Sequence, residues 1–115
     1  MDHLEKQLFI RQKAAENRSD PESAKVYWSR HAIAELINDN LTRTEVERAL
    51  EQSEIIEDYP IGHRPLPDCL VLAKLSQSQP IHAVIAVDKA RDRLFVITVY
   101  VPSAERWHND WRTRK

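Results

Sequence analysis

The sequence predicts an α+β domain, with N-terminal helices packed on one face of a three- to four-stranded antiparallel sheet. Three observations carry this. Residues 69–102 read as three apolar runs of strand length, CLVLAKL, IHAVIAVD and LFVITVYVP. The polar breaks SQSQP and KARDR separate them, the pattern of two successive hairpins. Upstream, residues 29–53 hold two segments with helical apolar spacing and capping residues.

Residues 2–18 consist mostly of good helix formers, with Leu4, Leu8 and Ala15 near one stripe and Phe9 widening it. Ser19-Asp20-Pro21-Glu22-Ser23 breaks that helix. Residues 1–23 are therefore expected as an appendage, packed on a neighbour, a partner or the chain's own core, and 24–115 as the domain proper. Val26-Tyr27-Trp28 is a brief extended entry. Ser29 is placed to cap a helix to about Asn38, with Ala32, Ile33, Leu36 and Ile37 buried and His31 and Glu35 on the polar side. Thr42 and Glu45 spell a capping box, and Leu41 with Val46 a hydrophobic staple. Val46, Ala49 and Leu50 then face the core. Residues 54–59 (EIIEDY) read as an edge strand whose acidic side chains oppose pairing with other chains. Pro60 to Asp68 is a loop centred on His63-Arg64, a candidate ligand contact.

Period-two alternation sorts the three long strands into two faces. One collects Cys69, Val71, Ala73, Leu75, Ile81, Ala83, Ile85, Val87, Phe95, Ile97, Val99 and Val101; with no charge among them, it is expected to lie under the helices. The other carries Lys74, His82, Thr98 and Tyr100 toward one end. If SQSQP and KARDR are whole loops, Lys74 falls opposite His82 and His82 opposite Tyr100. Opposed Cβ atoms lie roughly 4.5–5.5 Å apart, so a cation, an imidazole and a phenol form a row. That row is either the polar rim of a core or a catalytic or anion-binding group. His31, in the first turn of its helix, is either a solvated partner of Glu35 or a second titrating group. In the tail, Trp107 and Trp111 sit four apart and can share a helix face. Arg106, Arg112, Arg114 and Lys115 make that tail basic, a combination that suits core anchoring or RNA contact equally.

Length and composition bound the function. A chain of 115 residues holds one core. Its 42% hydrophobic and 30% charged residues are too apolar for disorder. No apolar run approaches the roughly 18 residues of a membrane span. One cysteine and a charged N-terminus point to a cytoplasmic protein. Charge is uneven: residues 1–58 hold 8 Lys and Arg against 13 Asp and Glu, residues 59–115 hold 9 against 5. The five histidines have no metal-ligand spacing, and no dinucleotide fingerprint or nucleophile elbow is present. No metal and no cofactor are expected.

A set of ordered pieces also carries a resemblance. Trp28-Ser29-Arg30-His31-Ala32, Leu41-Thr42 with Glu45-Val46-Glu47, Ile55-Ile56-Glu57-Asp58-Tyr59-Pro60 and Arg64-Pro65-Leu66-Pro67-Asp68-Cys69-Leu70-Val71-Leu72 come first. Ile81-His82-Ala83-Val84, Thr98-Val99-Tyr100-Val101-Pro102 and Trp107 with Asp110 follow. The pattern resembles the domain-of-unknown-function family 4258, over about three-quarters of the chain. That family is similar to the RelE/ParE-like and BrnT-like toxins of bacterial toxin–antitoxin pairs. The resemblance implies a ribosome-associated or free ribonuclease, or a toxin of related shape, with a cognate antitoxin as partner; the row of Lys74, His82 and Tyr100 makes the expected enzyme a metal-independent one acting on RNA. A non-catalytic protein-binding module, or a ParE-like inhibitor of a protein target, is the alternative. For the nuclease, His82, Tyr100, Lys74 and His31 are the expected catalytic group, and Arg106, Trp107, Arg112 and Thr98 the expected RNA contacts.

Overall fold

The computed structural model describes residues 1–59 and 65–115, so His63 and Arg64 lie outside the described residues. Three helices, α1 (His3–Ser19), α2 (Arg30–Asn38) and α3 (Arg43–Leu50), combine with five strands: β1 (Val26–Trp28), β2 (Glu54–Asp58), β3 (Asp68–Lys74), β4 (Pro80–Asp88) and β5 (Arg93–Tyr100). The strand order is β1-β5-β4-β3-β2. The fold is α+β, but the sheet is five-stranded and mixed, not three- to four-stranded and antiparallel. The fifth strand is the brief entry segment: Val26, Tyr27 and Trp28 run parallel to β5 opposite Leu94, Phe95 and Val96. Three residues are too few to show a period, and a parallel partner nearly 70 positions away leaves no local trace.

The helix starts follow their sequence signals. Ser29 Oγ accepts from the Ala32 N–H at 3.0 Å and donates to the Ile97 carbonyl at 2.8 Å, so the cap of α2 also ties it to β5. Thr42 and Glu45 satisfy each other's backbone N–H groups at 3.2 and 2.9 Å. Val46, Ala49 and Leu50 are buried. Ile37 departs from expectation: it is 78% exposed, while Ala32 and Leu36 are buried and Ile33 packs partly buried against the core.

The buried face of α1 is not the expected one. Leu4 and Leu8 are 60% and 53% exposed, while Ile10 and Ala14 are fully buried with Lys6 and Lys13 beside them. Both lysines cover their stems and pair their tips: Lys6 with Asp58 of β2, Lys13 with Glu16 at 2.7 Å and Asp92 at 2.6 Å. The Asn17 side-chain oxygen accepts from the N–H groups of Lys25 and Val26, fixing the start of β1. The segment expected as an appendage thus packs on the chain's own core.

Register departs from expectation at both hairpins. The β3–β4 turn spans residues 75–79, closed by the Leu75 N–H to the Gln79 carbonyl at 2.8 Å. Pro80 begins β4, where its missing N–H costs nothing. Gln77 and Ser78 take left-handed conformations at φ 64° and 62°. The pairing moves by two residues: Lys74 faces Pro80, and Leu72 faces His82. The β4–β5 turn is one residue shorter than KARDR, so Asp88 faces Arg93 instead of Leu94. A bulge then restores the frame: Ile85 pairs with Val96 and Val84 with Thr98, leaving Ile97 as the extra residue. Leu94 and Val96 therefore join the buried helix side, and Phe95 turns to the other face. His82 faces Tyr100 as expected, but only because the turn and the bulge cancel.

Candidate functional site

The face away from the helices is crossed by residues 102–115, which form no helix. Asp110 makes a turn there, accepting from the N–H groups of Arg112 and Thr113 at 2.9 and 3.0 Å. The chain doubles back so that Trp107 pairs with Arg114. The four-residue spacing of Trp107 and Trp111 is thus not a helical face. Trp107 is 2% exposed, and Arg114 stacks over its ring at 4.6 Å.

A second bulge receives this tail. Ile55 pairs with Val71 and Glu57 with Leu70, so Ile56 is the extra residue of β2. Glu54 and Glu57, three apart, consequently share the face of Leu72 and Leu70. Arg112 Nε reaches Glu54 at 3.0 Å, and Arg114 Nε reaches Glu57 at 2.6 Å. Each guanidinium holds its carboxylate below the usual range. Tyr59 donates to Glu57 at 3.2 Å, and burial, with the Glu57 charge, pushes that phenol up to about 12.

His82 lies beneath the tail, 0% exposed. Trp107 meets its ring edge-on with centroids 4.4 Å apart. Nε2 is 2.7 Å from the Trp111 carbonyl, which only accepts, so Nε2 carries the proton. Nδ1, 3.1 Å from the Tyr100 hydroxyl, is then the acceptor, and Tyr100 donates. Burial lowers the histidine's affinity for a second proton, against the pull of the Trp111 carbonyl. The imidazole is neutral with both nitrogens satisfied. The carbonyl is presented by Trp111 in a left-handed conformation at φ 61°, sparsely populated for so bulky a side chain.

Tyr100 is partly buried and forms the accessible edge of this group. Burial raises its pKa; Arg114 opposes, Glu57 adds, and Arg106 and Glu35 act more weakly in opposite senses. Beyond the end of β1, α2 covers the open edge of β5. Glu35 accepts from the Val99 N–H at 3.0 Å and from the Thr98 hydroxyl. His31 Nε2 lies 3.3 Å from the same carboxylate oxygen, with its side chain 69% exposed. His31 and Thr98 thus meet at Glu35, whose charge, like that of Arg106, also reaches the Tyr100 phenol.

Lys74 does not join them. The two-residue shift sets it opposite Pro80, two positions along β4 from His82, on a groove it shares with Gln52, Leu75 and Ser76. Arg112 is committed to Glu54, and Trp107 is a core anchor. Glu57 and the Trp111 carbonyl were missed, Glu35 was read only as a partner of His31, and Arg114 only as part of a basic tail. The His31–Glu35 spacing of four was the one signal for Glu35; the others depend on a bulge and a tail turn. Among the described residues, no three His, Cys, Asp or Glu side chains are grouped to hold a metal.

A family profile described as a domain of unknown function, DUF4258, matches residues 28–101. The chain belongs to the DUF4258 family. The DUF4258 match takes in His31, Glu35, His82, Thr98 and Tyr100 but stops before the tail that seals His82. No curated protein and no solved structure matches the chain. Among the described residues, no helix is long and apolar enough to cross a membrane.

Proposed function

We propose that this DUF4258 protein is the toxin component of a bacterial toxin–antitoxin pair, with a RelE/ParE-like fold, and cleaves RNA without a metal. The observation that carries the reading is the placement of Tyr100. A partly buried phenol is backed by a neutral imidazole through a 3.1 Å bond, and the charges of Arg114, Glu57, Arg106 and Glu35 reach it. In this chemistry a base takes the proton of the ribose 2′-OH, and O2′ attacks phosphorus. The P–O5′ bond breaks to leave a cyclic phosphate, and an acid protonates O5′. His31 Nδ1 is the base, since Nε2 faces Glu35. Tyr100 is the acid, and Arg106 holds the phosphate. His82 is a positioning residue: it holds the phenol in place through Nδ1, and the Tyr100 O–H turns from Nδ1 to O5′ as that oxygen leaves. A cognate antitoxin and a cytoplasmic location belong to the same proposal.

Cleavage of RNA by the wild type, Tyr100→Phe and His31→Ala in the presence of chelator tests it. Each substitution is expected to slow cleavage by about 10²–10⁴-fold, the worth of one general acid or base. Equal rates for wild type and both variants overturn the assignment.

The second reading, a non-catalytic binding module, is favoured by the complete burial of His82 and by the exposed Leu4 and Leu8 of α1. Induced expression separates the two. Growth arrest with fragmented RNA supports the nuclease; arrest with intact RNA supports the binder.

A further inference from the structure

The register shift that removes Lys74 from His82 places it on an open groove of about 740 Å³ between α3 and the β3–β4 turn. Three cations line the groove: Arg18, Arg48 and Lys74. Its two carboxylates are already engaged. Glu51 is held by Arg18 through bonds of 2.7 and 3.0 Å. Glu45 closes the capping box on the Thr42 N–H at the positive end of α3. Among the described residues, neither Arg48 nor Lys74 has an ion-pair partner. Thr44, Gln52 and Ser76 add neutral donors, while the apolar lining is limited to Ala49 and Leu75. A smaller cavity of about 230 Å³ shares Gln52 and Lys74 and continues to Leu72 and to the Arg112–Glu54 pair, whose carboxylate also feels the Lys74 charge. Leu72 is the cross-strand neighbour of His82, which faces Tyr100. The groove therefore leads along one end of the sheet toward the candidate site.

We propose that this groove binds the phosphodiester backbone of single-stranded RNA, with Arg48 and Lys74 contacting phosphates. Two cations without an ion-pair partner, among hydroxyl and amide donors, suit a ligand with regularly spaced anions. A bound peptide would want an apolar pocket for an anchor side chain, and the groove has none. It has no aromatic ring for base stacking either, so the contact is to the backbone and tolerant of sequence. The proposal rests on the RNA-directed reading above and extends it to a surface outside the reacting groups.

The test uses the full chain and a labelled single-stranded RNA carrying 2′-O-methyl groups, which cannot be cleaved through the ribose oxygen. Binding is followed by fluorescence anisotropy across a salt series. Arg48→Gln with Lys74→Gln is expected to weaken binding at least about tenfold and to reduce the log–log salt slope by about 1.4, roughly 0.7 for each lost phosphate contact. Arg48→Lys with Lys74→Arg is expected to restore both. Circular dichroism confirms that the exposed substitutions leave the fold intact. Undiminished affinity and slope in the Gln variant, no binding by the wild type, or equal displacement by polyglutamate overturns the proposal. Binding of the modified RNA by the wild type with no cleavage of unmodified RNA removes the nuclease reading alone.

Discussion

The Tyr100 hydroxyl donates to Nδ1 of His82 across 3.1 Å, and on the ring's far side Nε2–H donates to the Trp111 carbonyl. One side chain thereby joins β4, β5 and the tail. Replacing it with alanine removes two buried hydrogen bonds and the packing under Trp107. His82→Ala is expected to destabilise the protein by about 2–4 kcal/mol in urea denaturation.

The same site gives stability a pH dependence. Burial holds the folded His82 below its ordinary value of 6.5, so the unfolded chain binds the proton more readily. The histidine's contribution is whole above about pH 6.5. It declines as pH falls through that value toward the folded one, at no more than about 1.4 kcal/mol per pH unit. Denaturation curves between about pH 5 and pH 8 should show this slope in the wild type and a shallower one in His82→Gln.

The tail is held by charges that water and salt reach. Arg112 and Arg114 both lie on exposed ion pairs, each worth at most about 1 kcal/mol. Arg112→Ala with Arg114→Ala is expected to leave the sheet folded while the amides of residues 106–115 exchange faster. Raising salt should move the wild type in the same direction, because screening acts on both pairs. Amide exchange read by mass spectrometry checks both expectations.

α1 offers a sharp contrast between neighbours. Ile10 is fully buried and Leu8 is 53% exposed. Ile10→Ala is expected to cost about 2–4 kcal/mol, and Leu8→Glu to stay within about 0.5 kcal/mol. Reversal of that order in thermal or urea unfolding would return the helix to the stripe of Leu4 and Leu8.

The α3 cap is a local test. Thr42→Ala removes the acceptor for the Glu45 N–H and is expected to cost about 1 kcal/mol, with Thr42→Ser nearly neutral.

Sequence legibility followed the range of the interactions. The Ser29 and Thr42 caps were readable because each is settled within three residues. The buried face of β3 and β4 was readable because alternation survives a two-residue shift. The helical side of β5 was misassigned through Phe95 and Ile97, because no residue type announces a bulge. α1 was misjudged because the carboxylates that let Lys6 and Lys13 face inward come from Asp58 and Asp92, far along the chain. His82 and Tyr100 were paired correctly from hairpin parity, whereas Lys74 was lost to a turn displaced by one residue. The tail's cover over His82 depends on the bulge at Ile56 and the turn at Asp110, both invisible in a spacing pattern.

The extra residue in β5 has a consequence for how this hairpin tolerates length changes. Deleting Ile97 would straighten the ladder without moving it: Ile85 would still face Val96 and Val84 still face Thr98, so His82 would still meet Tyr100. The loss would fall on Ser29, which now anchors its helix to the Ile97 carbonyl.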